Sequence, residues 1–419
     1  MKGIFMTQED QEITSSKKLT ICLALPTIFD PKMPSRPAIT EIYGKYLPAL
    51  GHRIIWLSPS NDINKIEKKI FQGALVYIIP SRISLCWPMR VKYFFQYRYL
   101  EFKQMMAILK YDKCDIIQVR NDIFSSILAL AAKKMYGVLF VFQYSFPIND
   151  NSFKIKAISL NNLNSFSIFC ILRLLILPNA DLILPISKWM KCDLVKQGIP
   201  ESKMVSLPMG INPDLFSAKS SSTIKQRYDL GGKRIILYIG TLDRHRQLSI
   251  LLHSFQNVLR SMTNVKLLLV GDGNSKKNLK QLAEKLQIAH EVVFTGCVPY
   301  SEIPNYIDAA DICLSIIPPL EMFKVSSPTK LFEYMAMGKP VIANEEIPEQ
   351  KEVITAGNGG VLVKFDAKSI STAIIELLNN PNDAESMGLN GRSWVLTHRS
   401  YEKMANCLEN RYFELLSPS

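Results

Sequence analysis

The chain is expected to fold as two successive doubly wound α/β domains that face each other across a cleft. Short apolar runs rich in β-branched residues recur along it, alternate with helix-like segments, and break off once near the middle. Continuous apolar strands separated by helices indicate parallel sheets covered on both faces, and such sheets take ligands at the carboxyl ends of their strands. The length agrees, because 419 residues make two or three domains at roughly 100–200 residues each.

The first half supplies the runs LTICLAL, RIIWLSP, ALVYIIP, CDIIQVR, VLFVFQY and ADLILPIS, with helical patterns such as AITEIYGKYLPAL and SSILALAAKKMYG between them. The stretch 208–230 (PMGINPDLFSAKSSSTIKQRYDLGG) is rich in Pro, Gly and Ser and reads as the linker. The alternation restarts with RIILYIGTL, VKLLLVGDG, HEVVFTGCV, ADICLSIIP, KPVIAN and GGVLVKF. The expected division is a disordered polar tail at 1–16, a first domain at 17–210, a linker at 211–230, a second domain at 231–400, and a closing segment at 401–419. Lys17 and Lys18 before LTICLAL look superficially like a signal peptide. Pro26 ends that short run and no small-residue cleavage site follows, so it reads as the first buried strand.

Composition narrows the function classes. Hydrophobic residues at 47% and charged residues at 21% are globular values and exclude bulk disorder, collagen and coiled coil. Eight cysteines without a CxxC pair argue against zinc ribbons and disulfide frameworks and fit a reducing compartment. The apolar stretch Phe166–Leu177 has 12 residues and contains Arg173, whereas a membrane span needs about 20. The net charge of +13 is concentrated early: residues 1–217 hold 27 Lys and Arg against 16 Asp and Glu. Such an excess attracts polyanions or simply solvates a surface. Between Arg82 and Lys110 six Lys or Arg stand against Glu101 alone, interleaved with Trp87, Tyr93, Phe94, Phe95, Tyr97, Tyr99 and Phe102. Cations with aromatics suit an anionic lipid surface, and Phe166–Leu177 offers a second contact. The same pattern also fits a helix that buries its aromatics and wets its cations.

The most informative stretch is 326–344, SSPTKLFEYMAMGKPVIAN. Ser326 or Ser327 is expected to cap a helix, with Pro328 in its first turn and Gly338 at its end. Ser326, Lys330 and Glu333 then share one face, opposite Leu331, Tyr334 and Met335. A phosphate would meet backbone N–H groups, a hydroxyl and a lysine at the helix start, and the carboxylate one turn on suits a vicinal diol. In 237–255, LYIGTLDRHRQLSILLHSF, a strand turns at Gly240 into a basic loop with Arg244, His245 and Arg246. That loop suits a diphosphate. His245 reads as a surface residue. VGDG at 270–273 is a strand and tight turn, not a GxGxxG fingerprint, which disfavours nicotinamide and flavin oxidoreductases. His52, His245, His253, His290 and His398 have no ligand spacing, and Asp272 and Asp311 read as turn and strand-end residues, so no metal site is expected.

Taken in order from ADLILPIS through YIGTLDRHRQ, LLLVGDG, VVFTGCV and SPTKLFEYMAMGKPVIA, these stretches resemble the retaining family 4 glycosyltransferases of GT-B fold. The resemblance implies a nucleoside-diphosphate sugar, UDP- or GDP-linked, held by the second domain, with no further cofactor and no metal. Glu333 matches the glutamate on the ribose hydroxyls, Ser326–Lys330 the helix start at the diphosphate, Arg246 a diphosphate-gripping lysine, and Val298 the main chain that meets the base. Arg246, Lys330 and Glu333 form the catalytic set. Gly240, Thr241, Arg244, Gly271, Val298, Ser326, Ser327 and Thr329 form the donor-binding set. The closing helix, about Tyr401–Leu416, is expected to cross back onto the first domain.

Three departures stand out. The position of the family's earlier glutamate, which orients the donor sugar, holds Val325, with Glu321 the nearest carboxylate. Thr241 replaces the basic residue often found after the strand glycine, where Arg244 would substitute. The first domain lacks the usual glycine pair and a histidine after LFVFQYSFP. The expected activity is glycosyl transfer to a lipid-linked or saccharide acceptor by a cytoplasmic enzyme, peripheral on the inner membrane face. A nucleotide-sugar epimerase, a non-catalytic subunit of the same architecture and a nucleic-acid binder are the competing readings. No recognised nucleic-acid motif supports the last of these.

Overall fold

The computed structural model describes residues 17–30, 37–81, 89–147, 169–217 and 222–417. The tail expected at 1–16 lies outside them. Among the described residues thirteen strands form two sheets. The first has the order β3-β4-β2-β1-β5-β6-β7 and the second β10-β9-β8-β11-β12-β13. β1 (Thr20–Ala24), β2 (Arg53–Ser60), β4 (Ala74–Pro80), β5 (Ile116–Arg120), β6 (Leu139–Tyr144) and β7 (Leu182–Pro185) are parallel to their neighbours, and only β3 (Glu67–Phe71) runs antiparallel, on the edge. The second sheet, β8 (Arg234–Ile239), β9 (Val265–Val270), β10 (Val292–Gly296), β11 (Ile312–Ser315), β12 (Val341–Asn344) and β13 (Gly360–Val363), is all parallel. Central strands such as β1, β5 and β8 are buried on both faces, which is why they read as unbroken apolar runs.

A repeated local signal enters these strands. Asp115, Asp181 and Asp311 each precede a strand and accept an N–H from the first or second residue of its neighbour, Thr20 (2.7 Å), Phe140 (2.9 Å) and Ile235 (2.7 Å). Asp311 is thus the strand-end residue that its position suggested.

The sheets are joined twice. Ile211 N–H donates to Arg399 C=O (2.7 Å) and Tyr401 N–H to Ile211 C=O (3.1 Å), so the two crossings touch. A Cβ at Gly210 would stand 2.4 Å from the Arg399 oxygen, so a side chain there would push the crossings apart. The connecting stretch is packed: Ile211 and Phe216 are buried, and Ser222–Arg227 is helical. The final helix, Tyr401–Leu416, lies on the first domain. Its Tyr412 hydroxyl donates to Gln118 of β5 (2.7 Å), and Glu409 meets the buried His52 ring (2.7 Å).

Candidate functional site

In the second sheet β8 lies between β9 and β11, so the loops after β8 and β11 leave in opposite directions and open a crevice at the carboxyl edge. β8 is followed by Gly240 at φ +151°, and β9 by Gly271 at φ +138°. A Cβ on Gly271 would come 2.0 Å from the Gly240 oxygen. The two strand ends nest because Gly271 has no side chain, while a Cβ on Gly240 would come 2.9 Å from Lys330 Nζ.

The loop after β8 brings Arg246 over the cleft. Its Nε donates to Thr241 Oγ1 (3.3 Å), and its guanidinium packs on the Phe323 ring, 4.6 Å from the centroid. The helix Thr329–Ala336 enters from below. Lys330 extends over Tyr238, with Nζ 3.7 Å from the ring centroid. One turn on, Glu333 is 4% exposed and accepts a hydrogen bond from the Tyr300 hydroxyl (2.8 Å). The opposite helix face, Leu331, Tyr334 and Met335, is buried, and Tyr334 takes the Ile239 N–H at the end of β8 (2.8 Å). That bond ties the helix to the strand whose loop carries Arg246.

The expected serine cap is not formed. Pro328 occupies the N-cap without a side-chain bond. Ser327 Oγ instead accepts the Met209 N–H from the first domain's side (2.9 Å), and Ser326 Oγ donates to Phe323 C=O (2.6 Å). Both hydroxyls are drawn off by partners that only tertiary structure supplies, and the helix start faces the cleft uncapped.

The cleft between the sheets encloses about 590 Å³. Arg246, Lys330, Glu333, Gly240, Thr241, Val298, Ser326, Ser327 and Thr329 all line it. Arg244 and Gly271 do not. Arg244 opens a single 3₁₀ turn, where Asn274 Oδ1 holds its N–H (3.0 Å) and its side chain is exposed. Gly271 acts one layer back, by letting Gly240 approach. Sequence reading missed Tyr300, Phe323 and Tyr238, which hold the three charged side chains. It also missed the opposite wall, where Arg120 (Nε to Ser145 Oγ, 2.8 Å) ends β5 and Gln143 stands one residue before the end of β6.

Electrostatics follow from enclosure. Burial raises the Glu333 carboxyl to about 7, while the Tyr300 hydroxyl and Lys330 pull it the other way. Burial and then the neighbouring Arg246 hold Lys330 well below its ordinary value, with Glu333 opposing. Arg246, Lys330 and Glu333 converge where a diphosphate and a diol would each find a partner. Among the described residues no group of three His, Cys, Asp or Glu could hold a metal ion.

A second surface lies on the first domain. The helix Met89–Tyr111 exposes Phe95, Tyr99 and Phe102 beside Lys92 and Lys103, and Ile123–Tyr136 exposes Phe124, Ile127 and Met135. Nearby, Leu174 and Leu175 are also exposed. Tyr97 is buried instead, and Arg98 is not a free surface charge. Its guanidinium bonds Asp122 (2.6 and 2.8 Å) and Glu101 (2.7 Å) and packs on Phe94 and Phe124. Arg82, Trp87 and Phe166 lie outside the described residues. No described helix is long and apolar enough to cross a membrane.

The chain matches two family models, Glycosyltransferase Family 4 over residues 42–215 and Glycosyl transferases group 1 over 220–394. It is 26% identical over 224 residues, 52% of this chain and 58% of the relative, to a GDP-mannose-dependent alpha-(1-6)-phosphatidylinositol monomannoside mannosyltransferase of Mycolicibacterium smegmatis. It is 28% identical over 203 residues, 47% of this chain and 44% of the relative, to an alpha-monoglucosyldiacylglycerol synthase of Streptococcus pneumoniae. These matches span about half the length of the relatives. In three dimensions it resembles sucrose-phosphate synthase from Thermosynechococcus elongatus, with a TM-score of 0.76 at 18% identity, covering 96% of this chain and 100% of that one.

Proposed function

We propose, from the premise that the chain belongs to the family 4 glycosyltransferases and has their GT-B fold, that it transfers a glycosyl group from a UDP- or GDP-linked sugar to an acceptor hydroxyl with retention. The observation that carries this is the meeting of Arg246, Lys330 and Glu333 on one wall of the inter-domain cleft, at the sheet's switch point. Glu333 accepts the ribose hydroxyls beside Val298. The uncapped helix start, Ser326 to Lys330, and Arg246 receive the diphosphate. In the reaction the anomeric carbon–phosphate oxygen bond breaks and a bond to the acceptor oxygen forms on the same face. The acceptor proton ends on the departing diphosphate. Negative charge grows on that group, and Arg246 and Lys330 stabilise it most in the transition state. A metal ion and a protein nucleophile are then not required.

The acceptor enters against the first domain. We take it to be lipid-linked or membrane-proximal, and the enzyme to work peripherally on the cytoplasmic face. Three features support this: the early excess of cations, the exposed stripes Phe95–Tyr99–Phe102 and Phe124–Ile127–Met135, and the two lipid glycosides in the relatives' names. Aromatics settle at headgroup level, and each surface Lys or Arg adds about 1 kcal/mol of attraction to anionic lipid. Incubation with nucleotide sugars and lipid or saccharide acceptors, with the anomer assigned by NMR, tests the transfer. Donor turnover into an epimer without acceptor would refute it. Flotation with anionic and neutral liposomes tests the surface. Binding to anionic vesicles at low salt that fades at high salt is expected, and indifference to vesicle charge would refute it.

A further inference from the structure

The first-domain wall of the cleft carries Arg120, Gln143 and Ser145, at and just beyond the carboxyl ends of β5 and β6. Arg120 and Gln143 are 8% and 5% exposed. Their polar atoms are oriented from behind. The buried Tyr43 and Tyr412 hydroxyls both donate to Gln118 Oε1 (2.9 and 2.7 Å). Only with the amide oxygen on that side do both phenol protons find an acceptor. Gln118 Nε2 then faces Gln143 and donates to its Oε1 (3.2 Å). Gln143 is left presenting Nε2 to the cleft, with no partner among the described residues. Ser145 Oγ accepts from Arg120 Nε (2.8 Å), so its own proton is turned elsewhere.

This wall therefore offers donors. The side-chain oxygens of Gln143 and Ser145 are each turned to an internal partner, and a guanidinium has no acceptor atom. Among the described lining residues Glu333 is the one carboxylate, and it stands on the second domain with Tyr300. An amide N–H, a hydroxyl proton and a guanidinium together match the three terminal oxygens of a phosphate monoester, which accepts and does not donate when ionised. The donor's diphosphate has cations of its own. Arg246 and Lys330 are held on the opposite wall by Thr241, Phe323 and Tyr238. The first-domain group is thus a second anion site, on the side where the acceptor enters.

Resting on the nucleotide-sugar reading above, we infer that the acceptor carries a phosphate group, seated on Arg120, Gln143 and Ser145. Calorimetry on the full chain tests this. UDP or GDP is titrated to saturation, which fills the site of Arg246 and Lys330, and inorganic phosphate is then added. One further phosphate should bind. Gln143→Leu removes the amide donor at similar volume and should weaken that phosphate about fivefold, and Arg120→Gln about tenfold or more. Ser145→Ala, at a partly exposed position, disturbs the fold least and should weaken it severalfold. Nucleotide affinity should stay unchanged in all three. No phosphate on the nucleotide-loaded protein overturns the inference and leaves the nucleotide reading intact. An equal loss of nucleotide affinity would assign these residues to the donor and also overturn it. If neither UDP nor GDP binds, both readings fall. Glycerol 3-phosphate and dihexanoyl phosphatidate below its micellar concentration then identify the source. Tighter binding of the first supports a soluble phosphate, and of the second a lipid-borne one. Rejection of both, with inorganic phosphate still bound, would mean an adventitious ion only and overturn the acceptor assignment.

Discussion

Replacing Glu333 by Gln separates a binding role from a folding role. Glu333 is enclosed, accepts the Tyr300 hydroxyl, and has its carboxyl raised from 4.5 to about 7. Between those values the folded state holds a proton that the unfolded state has released. Stability therefore falls as pH rises through that window, and above pH 7 the ionised group costs the fold up to about 3 kcal/mol. Gln keeps an oxygen for Tyr300 and carries no charge. E333Q should thus be as stable as the wild type near pH 4.5 and equal to it or more stable at pH 8, read by thermal or denaturant unfolding. Donor binding should move the other way. Losing a charged hydrogen-bond acceptor costs about 1–3 kcal/mol, or roughly 5- to 150-fold in Kd. The ratio of mutant to wild-type Kd should be largest above pH 7 and shrink as pH falls through it, because the wild-type carboxylate then protonates too. Unchanged donor affinity at pH 8, or a loss of stability there with no loss of affinity, would refute the reasoning.

Arg246→Ala should lower kcat roughly 10²-fold and raise KM less, since the charge it meets grows as the diphosphate leaves. Steady-state kinetics with a saturating acceptor would read this, and a pure KM effect would contradict it. Gly271→Ala forces a Cβ to within 2.0 Å of the Gly240 oxygen at φ +138°. It should cost about 1–3 kcal/mol of stability and weaken donor binding together, as denaturation and nucleotide titration would show. EDTA should leave transfer unchanged, because Arg246 and Lys330 supply the positive charge at the diphosphate. Loss of activity restored by a divalent ion would contradict that assignment.

Period and composition made the strands legible, because strands buried on both faces must be continuously apolar. Helix spacing alone put Lys330 and Glu333 on one face and Tyr334 on the other. Ser326 and Ser327 misled because a hydroxyl before a helix is read as a cap, while here Met209 and the Phe323 carbonyl claim them. Tyr300, Phe323 and Arg120 carried no local signal, since each meets its partner only when separate loops converge. The Arg82–Lys110 segment divided between its two readings. Tyr97 went inside and Arg98 was neutralised by Glu101 and Asp122, while Phe95, Tyr99 and Phe102 stayed exposed. The exposed stripe Phe124–Ile127–Met135 carried no signal of its own, because nothing local reveals which apolar face of a helix the sheet covers.

A crystal structure of the protein with the nucleoside diphosphate that binds more tightly is the most direct test of the central claim. The account predicts ribose hydroxyls on Glu333, the base beside Val298, and the diphosphate between Arg246 and the start of the helix Thr329–Ala336. A nucleotide bound elsewhere, such as the cavity beside Arg234 and Lys339 on the far edge of the second sheet, or one bound in the cleft without touching Glu333, would contradict it.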